Sequence, residues 1–197
     1  IMKILYLDTE TTGITANSAV IQFAGIIEID GEVKEEFNIK CKPHKDADIS
    51  EKALEVTGMT HELINSYQEP QKAMEEMENI FEKYCSKFDK NDKFVLVGQN
   101  IKFDFQKLHE FYTRLGNKYL GSWINFKLMF DTLAVIQALQ VVSKMPILEN
   151  NKLITWCNHF NIELENAHDA LADIKATKEL AQVLFKKLGT DNITHVI

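Results

Sequence analysis

The most restrictive feature of this sequence is a largely apolar run near its start that ends in two carboxylates. Residues 2–7 read MKILYL, which predicts a strand buried on both faces of a sheet. Asp8 and Glu10 follow, and because alternate side chains of a strand share a face, both project to the same side. Like charges held so close repel each other unless a cation lies between them, and hard divalent cations prefer oxygen ligands. The pair alone fits a metal-binding sheet edge and a strand end that turns into solvent equally well.

The next segments predict two more strands that pair with the first. Residues 19–29 and 32–41 flank Asp30-Gly31, which is a strong signal for a two-residue hairpin. We therefore expect three antiparallel strands, with the carboxylate strand inside. A further short buried strand is predicted at 93–98.

Helices account for most of the remaining chain. They are predicted by caps and apolar periodicity at 50–56, in a short segment capped by Thr60, and at 70–84, 103–115, 132–141, 150–160 and 168–188. Residues 117–130 have no clear periodicity, and we expect a loop or lid anchored by aromatic side chains. Without a repeat or linker, the chain is predicted to be one α/β domain over residues 1–197.

Composition excludes several classes of protein. A net charge of −7 argues against a general nucleic-acid coating protein, which would carry a basic face. No apolar run approaches the roughly 20 residues that span a bilayer, so we expect no membrane partner. Cys41, Cys85 and Cys157 are widely spaced and odd in number, which predicts reduced thiols in a cytoplasmic protein without a disulfide framework or zinc site.

Two later stretches place further carboxylates at helix starts. The segment NIKFD at 100–104 follows a predicted strand, although the helix dipole alone would favour Asp104 in a first turn. The segment HDALAD at 168–173 opens the last predicted helix. Asp169 and Asp173 share a face at i,i+4, so periodicity does not decide which of them faces a site. Taken with the first pair, these stretches supply carboxylates and a histidine, a set suited to phosphodiester hydrolysis assisted by two metal ions.

In this order, the motifs resemble those of the DnaQ-like 3′–5′ exonucleases of the DEDDh type. That family includes the epsilon proofreading subunit of polymerase III, ribonuclease T and oligoribonuclease. The segment DTETTG at 8–13 is similar to the first exonuclease motif, 100–104 to the second and 168–173 to the third. The segment VTGM at 56–59 resembles the turn that faces the terminal nucleotide. The resemblance covers nearly the whole chain and implies a ribonuclease H-like fold, a mixed sheet flanked by helices.

The resemblance also implies roles for individual residues. It selects Asp173 over Asp169 as a ligand, and it implies that His168 is the general base. Two Mg²⁺ or Mn²⁺ ions are expected on four carboxylates: Asp8, Glu10, Asp104 and Asp173. The terminal nucleotide is expected to contact Thr11, Thr12, Gly13, Thr57, Met59, Asn100 and Phe103.

The expected substrates are 3′ ends of single-stranded DNA or RNA, with release of nucleoside 5′-monophosphates in proofreading, repair or processing. A DNA polymerase and a second copy of the chain are the candidate protein partners. An endonuclease on the same fold is one alternative. An inactive module that binds nucleic-acid ends or protein is another.

Overall fold

In the computed structural model, five strands form one mixed sheet with helices packed on both faces. The structure describes residues 1–164 and 169–190. The strands are β1 (Lys3–Thr11), β2 (Val20–Ile29), β3 (Glu32–Lys40), β4 (Phe94–Gly98) and β5 (Ile124–Asp131). Their order is β3-β2-β1-β4-β5, in which β1 to β3 are antiparallel neighbours, β4 is parallel to β1 and β5 is parallel to β4. The predicted α/β class and mixed sheet are therefore confirmed.

In the described part of the chain, seven α-helices connect and cover the strands. They are α1 (Glu51–Thr57), α2 (His61–Ser66), α3 (Pro70–Glu82), α4 (Ile101–Arg114), α5 (Thr132–Val141), α6 (Leu153–Phe160) and α7 (Ala170–Lys187). The predicted caps of α1, α2 and α5 are confirmed, because the side chains of Ser50, Thr60 and Asp131 accept backbone hydrogen bonds there. Among the described residues, no helix has both the length and the apolar character needed to cross a membrane.

Three predicted helix starts are wrong by two or three residues, and the first of them is that of α4, which begins at Ile101 instead of 103. Helix α6 begins at Leu153, because the Asn150 side chain forms a turn ahead of it, accepting from Lys152 N at 3.0 Å and Thr155 Oγ1 at 2.7 Å. Helix α7 begins at Ala170, and the residue before it is the N-cap.

The side chains of β1 alternate between two cores. Leu5 and Leu7 are fully buried in a cluster that includes residues of α3 and α4. Ile4 and Tyr6 are buried on the other face, in a cluster that includes residues of α7 such as Ile174. Because both faces are covered, the strand is fixed in position up to the point where its carboxylates begin.

Ion pairs hold α7 against the sheet in addition to its apolar contacts. Lys178 Nζ lies 3.1 Å from a carboxylate oxygen of Glu28 on β2, whose side chain is buried. Lys175 Nζ lies 2.8 Å from Glu36 on β3. These contacts lie on the first half of α7, so they fix the helical turns that follow its N-terminus.

The prediction of a loop or lid at 117–130 is wrong. The segment forms a single 3-10 turn, Leu120–Ser122, followed by the edge strand β5. The register explains why no periodicity is visible, because Ile124 pairs with Phe94 and Met129 with Leu96. Five positions along β5 thus match two along β4, and the extra residues form a bulge that interrupts the alternation of side chains.

Gly25 on β2 is required by the ring of Phe37 on β3. A Cβ atom built at position 25 would lie 2.3 Å from Phe37 Cζ. We expect Gly25→Ala to cost about 1–3 kcal/mol through overpacking, and each kcal/mol lowers the Tm by about 2–4 °C in a domain of this size. Thermal unfolding of Gly25→Ala measures this loss.

The matched control is Gly121→Ala, whose added Cβ would meet Phe126 at an ordinary 3.6 Å. The double variant Gly25→Ala/Phe37→Leu should recover part of the Tm, because the smaller side chain leaves room for the methyl group. Equal Tm values for the wild type and Gly25→Ala would contradict this account of the pairing.

Candidate active site

Three carboxylates meet where β1 passes the first turn of α7. Asp8 and Glu10 project from β1 towards the face that α7 covers, and Asp173 lies in the first turn of that helix. One ligand oxygen from each of the three lies within 4.8 Å of the others, and all three residues are half-buried. The structure therefore brings together residues that are more than 160 positions apart in the sequence.

The fourth predicted carboxylate, Asp104, is bound to β1 through Thr9. Asp104 lies in the first turn of α4 and is only 4% exposed. Its Oδ1 atom accepts hydrogen bonds from the backbone N–H of Thr9 at 2.9 Å and from Thr9 Oγ1 at 2.7 Å. Thr9 lies between Asp8 and Glu10, so this contact fixes Asp104 at the same stretch of β1.

Burial and mutual repulsion raise the pKa values of the carboxyls on β1. Burial raises the pKa of Glu10 to about 8, with further contributions from the charges of Asp173, Asp104 and Asp169. Burial also raises the pKa of Asp8 well above its ordinary value, and the nearby Asp104 and Glu10 carboxylates add to the effect. Within the described parts of the chain, no lysine, arginine or histidine forms an ion pair with Asp8 or Glu10.

This donor set fits a hard divalent cation. All of the converging ligand atoms are carboxylate oxygens, the atoms that Mg²⁺ and Mn²⁺ prefer. A bound cation would also relieve the repulsion that raises the pKa values of Asp8 and Glu10.

The two aspartates of α7 have different surroundings. The Oδ1 atom of Asp169 accepts from the backbone N–H groups of Leu171 at 3.1 Å and Ala172 at 3.2 Å, so this residue is the N-cap of the helix. Asp173 instead faces the carboxylates of β1. The role of Asp173 as a metal ligand stays a prediction. His168 lies outside the described residues.

The hydroxyl groups of Thr11 and Thr12 hold the loop at the end of the first motif. Thr11 Oγ1 donates to the Gly13 carbonyl at 2.7 Å. Thr12 is fully buried, and its Oγ1 donates to the Asp48 carbonyl at 2.6 Å and accepts from Ala19 N at 2.9 Å. These contacts fix the shape of the loop, and the substrate contacts assigned to Thr11, Thr12 and Gly13 stay predictions.

The helix that ends in the VTGM turn is tethered to this loop at its N-terminus. The N–H of Ser50, which caps α1, donates to the Thr12 carbonyl at 2.8 Å. Thr57 ends the helix, and its Oγ1 lies 3.1 Å from the Ala53 carbonyl oxygen. Met59 packs against a small apolar cluster over β2. Their contacts to a nucleotide stay predictions.

The NIKFD segment begins α4 from a left-handed residue. Asn100 has a φ of 58° and donates its backbone N–H to Asp131 Oδ1 at 2.9 Å. Asp131 thus links the start of α4 to the cap of α5. Phe103 is half-buried in the first turn of α4. The nucleotide contacts of Asn100 and Phe103 also stay predictions.

The sequence analysis missed a buried lysine that joins the loop to α4. Lys107 is 3% exposed, and its Nζ donates to the carbonyls of Thr15 at 2.8 Å and Ser18 at 3.3 Å. The same nitrogen lies 3.1 Å from Glu110 and 5.9 Å from the centre of the Phe103 ring. A signal for it was present, because position 107 falls on the stripe of α4 that is otherwise buried.

Comparison with known proteins gives one family and a consistent fold. The family model RNase_T, described as Exonuclease, matches residues 5–181. DNA polymerase III PolC-type of Oceanobacillus iheyensis is 28% identical over 189 residues, which are 95% of this chain and 12% of that protein. The same polymerase of Halalkalibacterium halodurans is 29% identical over 179 residues, or 90% of this chain and 11% of the relative. The chain thus spans about one eighth of the length of these relatives.

Solved structures share the fold at lower identity. Exonuclease I of E. coli in complex with a dT13 oligonucleotide superposes with a TM-score of 0.80 at 24% identity, over 96% of this chain and 42% of that one. The cell-death related nuclease 4 (CRN-4) has a TM-score of 0.74 at 17% identity, over 96% of this chain and 65% of that one. These likenesses concern the fold alone.

The carboxylate cluster predicts a pH-dependent stability in the protein without metal. Because the folded state raises the pKa values of Asp8 and Glu10, it binds more protons than the unfolded state between about pH 4.5 and pH 8. Stability should therefore fall as the pH rises through that window. Added Mg²⁺ or Mn²⁺ should raise the Tm more at pH 8.5 than at pH 5.5, because cations compete with protons for the carboxylates.

Thermal unfolding with a chelator, across that pH range, measures the effect. Asp8→Asn removes one member of the cluster and should raise the Tm by a few degrees at pH 8.5, at about 2–4 °C per kcal/mol. Glu62→Gln, on an exposed position of α2, is the control. If the Tm of the wild type and that of Asp8→Asn depend on pH in the same way, the carboxylate cluster is not the cause of that dependence.

Proposed function

The chain belongs to the exonuclease family whose model spans residues 5–181, and we propose that it is a metal-dependent 3′–5′ exonuclease domain. Its substrates are 3′ ends of single-stranded DNA or RNA, from which it releases nucleoside 5′-monophosphates. We propose that residues 1–197 act as one such domain.

The observation that carries this proposal is the convergence of Asp8, Glu10 and Asp173 within 4.8 Å. Asp104 adds a fourth carboxylate, anchored through Thr9 to the same part of β1. Proteins with oxygen-rich sites of this kind hold divalent cations in phosphoryl transfer. We propose two Mg²⁺ or Mn²⁺ ions, which when bound supply positive charge to stabilise the negative charge that develops at the scissile phosphate.

The side chains of the protein would hold the cations, orient the terminal nucleotide and transfer a proton. Asp8, Glu10, Asp104 and Asp173 would hold the cations. His168 would take the proton from the attacking water, a role that suits an imidazole because its ordinary pKa lies near neutrality.

The residues around the carboxylates would orient the terminal nucleotide. Phe103 offers a half-buried aromatic face in the turn of α4 that also carries Asp104. The hydrogen bond from Ser50 to Thr12 joins the first motif loop to the N-cap of α1, and the VTGM turn lies at the other end of that helix, so these segments would form one wall of the site. The proposed contacts are made by Thr11, Thr12, Gly13, Thr57, Met59, Asn100 and Phe103.

The similarity to PolC-type polymerases supports a proofreading setting as the second candidate function. In that setting a DNA polymerase delivers a mispaired 3′ end, and the chain would act as part of, or beside, that polymerase. A homodimer stays a prediction. The three free, buried cysteines fit a reducing compartment, and we propose a cytoplasmic location.

A time course on 5′-labelled single-stranded DNA and RNA oligonucleotides tests the activity. With Mg²⁺ or Mn²⁺ we expect a ladder that shortens from the 3′ end, and with a chelator we expect none. Asp8→Asn should lower turnover by more than about 100-fold. Mutation of a residue that only hydrogen-bonds to a metal ligand already lowers activity by about 10–100-fold, and loss of a ligand itself should cost more. Its fold should persist by circular dichroism.

A circular single strand serves as the control substrate. Its cleavage would favour an endonuclease over the exonuclease proposed here. Intact oligonucleotides under every condition would favour an inactive binding module.

The role of His168 is tested separately. His168→Ala should lower kcat by about 10²–10⁴-fold, the usual contribution of a general base, while KM changes little. His159→Ala, on the last turn of α6, is the matched control. An unchanged kcat for His168→Ala would remove this residue as the base.

A further inference from the structure

A cluster of aromatic side chains joins α4 to β5. Phe105 follows Asp104 directly, and His109 lies four residues further along the helix. The ring centroid of Phe126, from the bulge of β5, lies 5.0 Å from that of Phe105 and 6.3 Å from that of His109. We call Phe105, His109 and Phe126 the aromatic surface.

The bulge of β5 is what brings Phe126 to this position. The register places the residues between Ile124 and Met129 outside the ladder with β4. Phe126 projects there with 47% of its surface exposed, while His109 is exposed and Phe105 half-buried. Single exposed apolar side chains are ordinary, but contiguous exposed rings mark interaction sites.

The charges around the aromatic surface favour an anionic partner. Lys102, Phe105 and His109 occur at i, i+3 and i+7, so they share one side of α4. Lys127 follows Phe126 in the bulge, and both lysines are exposed. None of these residues is acidic, although the chain as a whole carries a net charge of −7.

Both acidic residues of this part of α4, Asp104 and Glu110, are engaged elsewhere, and Asp104 is buried against Thr9 of β1. Glu110 accepts from Gln106 Nε2 at 2.8 Å and pairs with Lys107 at 3.1 Å. Its charge is therefore compensated within the helix, and the side of α4 that carries the aromatic surface stays basic and aromatic.

We propose that the aromatic surface, with Lys102 and Lys127, binds nucleotides that precede the two at the 3′ end of a single-stranded substrate. Bases would stack on the rings and phosphates would face the lysines, a combination that holds single strands without reading sequence. The position fits, because α4 begins at the carboxylates and leads away from them, and Phe105 and His109 are about 6 Å apart along its axis. This inference rests on the proposed exonuclease function.

Substrate length provides the test. We expect Phe126→Ala to raise KM for a single-stranded dodecanucleotide by about 5- to 100-fold, the usual effect of losing one stacking platform. KM for a dinucleotide should not change, because so short a substrate would end before the aromatic surface. In both cases kcat should be close to that of the wild type.

Matched variants separate stacking from apolar contact and from charge. Phe126→Trp should keep the KM of the wild type, while Phe126→Leu should behave like the alanine variant because it lacks an aromatic face. Phe88→Ala, at a residue that is 94% exposed in another loop, is the control. Lys102→Gln should reduce the salt dependence of dodecanucleotide binding by about one unit of log–log slope.

The outcomes distinguish this inference from the proposed function. If the wild type hydrolyses neither substrate, the proposed function fails, and anisotropy of a labelled dodecanucleotide still tests the aromatic surface by its Kd. Unchanged KM and Kd in Phe126→Ala would overturn the inference. It would also be overturned if Phe126→Ala altered the molar mass in solution without altering KM, since the surface would then join two copies of the chain. If Phe126→Ala does not fold, His109→Ala replaces it in the same comparison.

Discussion

Repulsion among carboxylates at the end of β1 is the constraint that the rest of the fold must satisfy. Asp8, Glu10 and Asp173 converge within 4.8 Å at a place where burial already disfavours charge. Such a cluster holds its shape only if surrounding elements are fixed independently of it. Apolar packing on both faces of β1 and the ion pairs of α7 meet that requirement. The stability of the core thus maintains a site whose own electrostatics opposes folding.

The parts of this site that depend on short-range geometry could be predicted from the sequence. Asp8 and Glu10 share a face because side chains alternate on a strand, and Asp131 is an N-cap because an aspartate directly precedes an apolar helix. The pairing of Asp104 with Thr9, 95 residues away, depends on how α4 follows β4. The place of Asp104 among the site carboxylates was implied by the family resemblance. The helix dipole alone would explain an aspartate in a first turn.

Other features could not be read from the sequence, because they arise from competition between local and long-range interactions. Strand β5 has no alternation, since its register with β4 includes a bulge. The start of α6 was misplaced because the side chain of Asn150 can cap a turn as well as a helix. The position of Lys107 on the buried stripe of α4 indicates burial, but lysine is usually exposed, and its partners, the loop carbonyls of Thr15 and Ser18, follow only from the fold.

The two edges of the sheet have a consequence for association between molecules. An exposed edge strand can pair with a strand of another chain, and such pairing leads to aggregation. The edge strand β3 carries charged side chains such as Lys34 and Glu36, and the bulge makes β5 too irregular to template a partner. Charged side chains therefore protect the edge at β3, and the bulge protects the edge at β5. The residues displaced from the ladder at β5 thereby disfavour the joining of identical sheets edge to edge.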